Sequence, residues 1–143
     1  MARKGLPTLI RLRTFELDQK RRRLAELEGM KARLEAAVED LADTVVKEQS
    51  IAARDEEVTF AYGAFAKAAI MRRKSLEASI REVAEQVEAA ADDVAAAYQD
   101  LKKLEIAQAN RVARERAEFE RKEQIRLDDI ALEQFRQRQE PVS

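Results

Sequence analysis

The chain has 143 residues, of which 38% are charged and 5% aromatic, and its formal net charge is −1. It contains no His and no Cys, which excludes an ordinary zinc site, a thiol nucleophile and a disulfide, and its three glycines are too scattered for a phosphate-binding loop. We therefore expect no enzyme activity, no metal site and no cofactor.

Proline is absent between Pro7 and Pro141, and Gly29 and Gly63 are the only glycines in that stretch. An interior proline costs about 3 kcal/mol and a glycine about 1 kcal/mol, so long helices tend to exclude both. Such a charged and aromatic-poor chain suits the narrow seam between paired helices. The pattern predicts an all-α fold, a long antiparallel two-helix coiled-coil hairpin with a longer second helix, forming a single domain over residues 1–143.

The first helix is predicted over residues 8–53. Its apolar residues recur in steps of seven, or of three and four, as in a coiled-coil seam that Lys20, Lys31 and Glu48 interrupt. The basic run at residues 20–23 is interpreted as a solvated helix face, because acidic residues are interleaved around it. The predicted seam residues of this helix are Ile10, Leu17, Leu24, Leu34 and Leu41.

A polar stretch at residues 54–57 predicts the turn, because it contains no seam residue. In an antiparallel hairpin the numbers of paired residues add up to a constant, and Leu24 with Val87 and Leu41 with Ile70 both give 111. That register places the tip inside the polar stretch. One uninterrupted helix paired with a parallel copy is the competing interpretation, and the weak seam around the turn argues against it.

An apolar cluster follows the predicted turn, where Val58, Phe60, Tyr62 and Phe65 lie within eight residues. At about 100° per residue these side chains spread around the helix, so they do not all face one seam. We expect one or two of them to face solvent or a partner and to act as docking anchors near the tip.

The second helix is predicted over residues 57–138, and past about residue 104 it has no partner within the hairpin. That overhang carries apolar residues among eight Lys/Arg and eight Asp/Glu over residues 106–143. A lone solvated helix is only marginally stable, so we expect another protein to cover it. Whether residues 105–143 are ordered in the free chain is left open. The predicted seam residues of this helix are Ile70, Leu76, Val83, Val87, Val94 and Leu101.

Three stretches of the chain resemble the FliJ family, the coiled-coil stalk of flagellar type III export. They are LPTLIRLRTFELDQKRRRLAEL at residues 6–27, YGAF at residues 62–65 and EFERKEQIRLDDIALEQF at residues 118–135. The family more often has Glu where Asp129 stands. The LIRLRTFELD opening of the chain at residues 9–18 resembles that of alphaproteobacterial members.

The resemblance implies a non-catalytic stalk that inserts its terminal end into a hexameric export ATPase, contacts the cytoplasmic domain of the export gate and handles export chaperones. It implies a cytoplasmic protein, peripheral at the membrane base of the flagellum. No apolar run approaches the roughly 20 residues that span a bilayer, and neither membrane insertion nor nucleic-acid binding is expected. The gate side would include Tyr62 and Phe65, with Val58 and Phe60 beside them. The ATPase side would carry Leu9, Leu12, Arg13, Arg21, Arg22, Arg23, Arg121, Glu123, Asp128 and Asp129.

Two other functions remain open from the sequence. The first is an independent homo-oligomeric coiled-coil scaffold, in which the overhang pairs with its own copy. The second is the equivalent stalk of a virulence type III secretion system, which helical periodicity does not distinguish from the flagellar one.

Overall fold

The computed structural model describes residues 2–54 and 56–139 of the chain, and the side chains of residues 5–54 and 60–139. Two helices account for nearly all of this, α1 over Ala2–Ala52 and α2 over Glu56–Gln139. The helices pack against each other as an all-α helical hairpin, as the sequence predicts. The described residues contain no helix that is both long enough and apolar enough to cross a membrane.

The start of α1 differs from the prediction. The helix begins at Ala2 rather than at residue 8, and Pro7 lies inside it. Pro7 is the sixth residue of the helix, just past the first four N–H groups that any helix leaves without intrahelical partners, so it removes one bond, the one to the carbonyl of residue 3. The loss therefore falls close to the helix end. The helix tolerates this loss, and the predicted start at residue 8 is six residues late.

The connection between the helices is short. The N–H of Ala53 donates to the carbonyl of Gln49, and the N–H of Arg54 donates to the carbonyl of Ile51, each at 3.1 Å. The second bond spans three residues, so the last turn of α1 tightens before the chain reverses. Asp55 lies outside the described residues. The predicted turn at residues 54–57 is thus shorter, because α2 already begins at Glu56.

The chain divides into two compact units, which are described separately. The larger, Arg13–Gln99, is called the hairpin unit. Its core consists of large apolar side chains alternating with alanines, which let the two helices approach closely. No polar or charged residue is buried in the described part of the chain. The buried residues of the hairpin unit are Leu17, Leu27, Ala52, Ala69, Leu76, Val83 and Ala90.

One predicted seam residue, Ile70, lies outside this core. Ile70 is 57% exposed, whereas its neighbour Ala69 is only 7% exposed. Counting back in sevens from Val83 gives Leu76 and then Ala69, so Ala69 holds the heptad position. The prediction chose Ile70 because it is the larger apolar residue, although Ala69 lies at the correct heptad position. The remaining predicted seam residues of this unit, Leu17, Leu24, Leu34, Leu41, Leu76, Val83, Val87 and Val94, are buried or half-buried.

The smaller unit, called the terminal unit, comprises Met1–Leu12 and Asp100–Ser143. Leu101 is buried within it, and Ile10 is half-buried. Leu6 and Pro7 of α1 line a shallow cavity of about 190 Å³ with Gln108, Arg111, Val112 and Glu115 of α2. Burial on α2 fades beyond these residues.

Candidate functional site

An apolar groove lies between the two helices of the hairpin unit, close to the turn. Its volume is about 390 Å³. Val46 and Ile70 at this groove are 63% and 57% exposed, so much of its apolar lining faces solvent. The lining residues are Val38, Leu41, Ala42, Val45, Val46, Gln49, Tyr62, Ala66, Ala69, Ile70 and Arg73.

The aromatic residues after the turn have different environments. Tyr62 lines the groove, and its ring lies 6.1 Å from that of Phe65 at an interplanar angle of 39°. Both are half-buried. Phe60 is 90% exposed. Phe60 therefore faces solvent, Tyr62 lies at the groove and Phe65 packs beside Tyr62, while the side chain of Val58 lies outside the described residues.

The end of α2 is uncovered. We call residues 113–139 the distal segment, and every residue in it is exposed except Glu123, which is half-buried. At 1.5 Å per residue it extends for roughly 40 Å. Its large apolar side chains are between 43% and 67% exposed. They are Phe119, Ile125, Leu127, Ile130, Leu132 and Phe135.

These six residues form two stripes on the distal segment. A rotation of about 100° per residue brings Phe119, Leu127 and Ile130 onto one side of the helix, which we call the first stripe. The same rotation brings Ile125, Leu132 and Phe135 onto the opposite side, which we call the second stripe. A partner docked on one side would leave the other stripe in water. Burial of both requires an environment that encloses the helix.

Ion pairs within the helix lie among the apolar side chains of both stripes. Arg121 Nη2 lies 2.6 Å from Glu118 Oε1, and Lys122 Nζ lies 4.0 Å from the same oxygen. Arg126 pairs with Glu123. Pairs of this spacing stabilise an exposed helix by a few tenths of a kcal/mol each. They help to keep the distal segment helical without tertiary contacts.

The same contacts shift the titration of these groups. A hydrogen bond from Arg121 lowers the pKa of Glu118, and one from Arg126 lowers the pKa of Glu123. The pKa values of both arginines are raised by their carboxylate partners. The paired carboxylates are therefore ionised at neutral pH. The described residues contain no group of carboxylates arranged to hold a metal ion.

The comparison with protein families identifies the chain. A family model described as flagellar FliJ protein matches residues 3–140. The chain belongs to the FliJ family. Searches of the curated proteins and of the solved structures returned no match. Membership relates the chain to flagellar protein export, in agreement with the resemblance seen in the sequence.

The ATPase-side residues that the resemblance implies fall in both units of this FliJ-family chain. On the distal segment, Asp128 accepts a hydrogen bond of 3.0 Å from Gln124, and Asp129 is exposed. Leu9 is half-buried and Leu12 is 49% exposed in the terminal unit. Their assignment to the ATPase stays a prediction. Arg13, Arg21, Arg22 and Arg23 belong to the hairpin unit.

Those four arginines are not equivalent. Arg13 lies 2.8 Å from Glu16, and Arg23 lies 3.7 Å from Glu26. Arg21 and Arg22 are exposed and have no ion-pair partner among the residues that the structure describes. The two unpaired side chains are the ones available to a partner without breaking an existing contact.

Two features of this FliJ-family chain were missed from the sequence. Val45 and Val46 of α1 line the groove, whereas the sequence predicted docking residues near the tip only in α2. The two adjacent valines could have indicated this groove, because a coiled-coil seam uses only one of two neighbouring residues and leaves the other valine for a second surface. The division of the distal apolar residues into two stripes also follows from their spacing, because Ile125 and Leu132 are seven apart.

Proposed function

We propose that this chain is a non-catalytic stalk or adaptor of the flagellar export apparatus. In this proposal the distal segment and the N-terminal part of α1 insert into the ring of the hexameric export ATPase. The groove near the turn contacts the cytoplasmic domain of the export gate. The chain also handles export chaperones, and it acts in the cytoplasm at the membrane base of the flagellum.

The observation that carries the proposal is the pair of opposite stripes on the distal segment. Phe119 is exposed on one side of this helix of roughly 40 Å, and Phe135 is exposed on the other. Removing apolar side chains from water is favourable, and only surroundings on all sides of the helix remove both. The pore of a protein ring surrounds a helix, whereas a flat docking surface does not. Membership of the FliJ family supports the export setting over a virulence secretion system.

The mechanism follows from stiffness and asymmetry. The stalk carries a different set of side chains on each side, so subunits around it meet different contacts. A ligand shifts an equilibrium between conformations only through a difference in affinity for them. The stripes and the ion-paired flanks supply such a difference among ring subunits. The stalk thereby favours assembly of the ring and turnover without taking part in the chemistry.

ATP hydrolysis by the cognate export ATPase, measured together with ring assembly by light scattering, tests this function. Addition of the chain is expected to raise both hexamer formation and turnover. If neither changes and the chain self-associates through the distal segment, the independent scaffold becomes the better account.

The gate contact has its own test. Val46→Asp places a charge at the exposed rim of the groove and is expected to reduce binding of the isolated cytoplasmic domain of the gate, because an unpaired charge is costly to bury. The fold should persist, since Val46 is 63% exposed. The matched control is Val112→Asp, at a valine that is 56% exposed in the terminal unit. Equal binding by both variants would contradict the assignment of the groove to the gate.

A further inference from the structure

Helix α2 has a division of charge along its length that the stalk function does not use. Residues 60–75 contain four basic residues and no acidic one. Residues 82–99 contain five acidic residues and no basic one. The whole chain is nearly neutral, with 27 basic and 28 acidic residues. Two consecutive stretches of opposite sign therefore lie on one helix of the hairpin unit.

Most of these charges are unpaired. Arg73 bonds to Glu77 at 3.0 Å. The others have no hydrogen-bond or ion-pair partner in the part of the chain that the structure describes. The distal segment, by contrast, pairs most of its charges within the helix. The exposed residues without a partner are Lys67, Arg72, Lys74, Glu82, Glu85, Glu88, Asp92 and Asp93.

We call the surface of α2 opposite the groove, over residues 60–96, the outer face. Phe60 and Met71 on this face are 90% and 62% exposed. The helical rotation places Ala64 between them and carries the same surface on through Ala78, Ala89 and Ala96. Small residues at such spacing let a second helix approach closely. The flanking charges change from Lys to Glu and Asp along the face.

We propose that the outer face binds the outer face of a second copy of this chain, with the two α2 helices antiparallel. A helix whose first half is basic and second half acidic is complementary to itself when reversed. The contact is then isologous, as in most two-fold dimers. A register centred between residues 79 and 80 places Lys67 opposite the partner's Asp92 and Lys74 opposite the partner's Glu85. Symmetry repeats each pair.

The chemistry of the face argues for a second copy over another occupant. A foreign acidic helix would satisfy only residues 60–75 and would leave the acidic stretch unpaired. Parallel pairing of two copies would oppose like charges, which is unfavourable. The antiparallel copy satisfies both stretches at once. The contact consists mostly of charged side chains and alanines, so the dimer is weak and sensitive to salt.

Charge-reversal variants of the full chain, followed by sedimentation equilibrium, test the proposal. Wild type should form a dimer as concentration rises at low salt and should dissociate as salt is added. Lys67→Glu with Lys74→Glu makes both basic members of the proposed pairs acidic, and Glu85→Lys with Asp92→Lys makes both acidic members basic. Each double variant alone should raise the dimer dissociation constant by at least about tenfold. An equimolar mixture of the two should restore association as a heterodimer.

The matched control is Arg33→Glu with Lys47→Glu, at two exposed basic residues of α1, which should dimerise like wild type. Circular dichroism should show equal helicity for all variants, because the changed side chains are exposed. A monomeric wild type at low salt and high concentration would overturn the proposal. Dimerisation of both double variants as tight as that of wild type would overturn it too, as would a mixture that stays monomeric.

Cross-linking tests the register independently, because the chain contains no cysteine. Ala78→Cys lies close to the proposed two-fold axis and should cross-link between copies with a short bis-maleimide. Ala64→Cys lies far from its symmetry mate, by roughly 46 Å along the helix, and should not. Efficient cross-linking at residue 64 with none at residue 78 would contradict the antiparallel register.

Discussion

Gly63 sits within α2 beside Tyr62, and nothing around it requires a glycine. Its backbone is helical, and a Cβ added there would meet no atom within 4 Å. Gly63→Ala should therefore raise the free energy of unfolding by about 0.5–1 kcal/mol, because alanine has less backbone freedom to lose. Urea denaturation followed by circular dichroism measures the change. A destabilised variant would show that the site is more crowded than described.

The ion pair of Glu118 with Arg121 predicts a pH dependence. Because the pKa of Glu118 is lowered in the folded helix, its stabilising effect is present above the unfolded value and is lost as pH falls through the lowered value. Arg121→Ala should raise the pKa of Glu118 towards its ordinary value, as followed by NMR of the side-chain carboxyl. Arg116→Ala, which removes the partner of Glu120, is the control and should leave Glu118 unchanged. An unchanged pKa in Arg121→Ala would contradict the pairing.

At the scale of the helices, the heptad step decides which apolar residues hold the hairpin together. Leu76 is 4% exposed and Ile70 is 57% exposed. Leu76→Ala should lower the free energy of unfolding by about 2 kcal/mol or more, whereas Ile70→Ala should cost less than about 0.5 kcal/mol. Thermal and urea melts compare the two. Equal costs would contradict the assignment of Ala69 to the buried layer.

The helices themselves could be predicted from the sequence, because their determinants are local. The lack of interior proline, the heptad steps and the polar stretch at the turn predicted two helices with a short connection. Two predictions were wrong. The choice of Ile70 over its neighbour Ala69 as a seam residue was one, and the start of α1, which depended on whether the helix tolerates Pro7 near its end, was the other. The groove depended on which α1 residues lie across from Tyr62, and that is a tertiary fact.

The surroundings of the distal segment are what the sequence could not predict. The unequal lengths of the two helices predicted an overhang past about residue 104, but Leu6 and Pro7 lie beside α2 as far as Glu115, because α1 begins at Ala2. The two stripes of the distal segment could have been found by projecting the residues around the helix. The identity of what encloses them has no local signature, because apolar residues on an exposed helix fit many partners. The family match confirmed the flagellar export setting that the three resembling stretches had suggested.

For the molecule as a whole, we expect two levels of protection from hydrogen exchange. Amides of residues 116–139, beyond the cavity that Glu115 lines with Leu6 and Pro7, should exchange quickly in the free chain, since no tertiary contact prevents local opening. Amides around Leu27 and Val83, which are 3% and 7% exposed, should exchange slowly. Mass spectrometry of peptide fragments measures both. Full protection of residues 116–139 in an isolated monomer would contradict the description of the distal segment as uncovered.

A ring that encloses the distal segment must contact both of its stripes. The most direct measurement is the stimulation of the cognate export ATPase by two double variants, Phe119→Ala with Leu127→Ala in the first stripe and Ile125→Ala with Leu132→Ala in the second. All four side chains are at least 47% exposed, so both variants should keep the fold of wild type. The control is Ile51→Ala, at a side chain that is 47% exposed near the turn, and it should stimulate the ATPase like wild type. Each double variant is expected to lose most of the stimulation. Loss in one stripe with full stimulation by the other would contradict enclosure and would indicate docking on a single side.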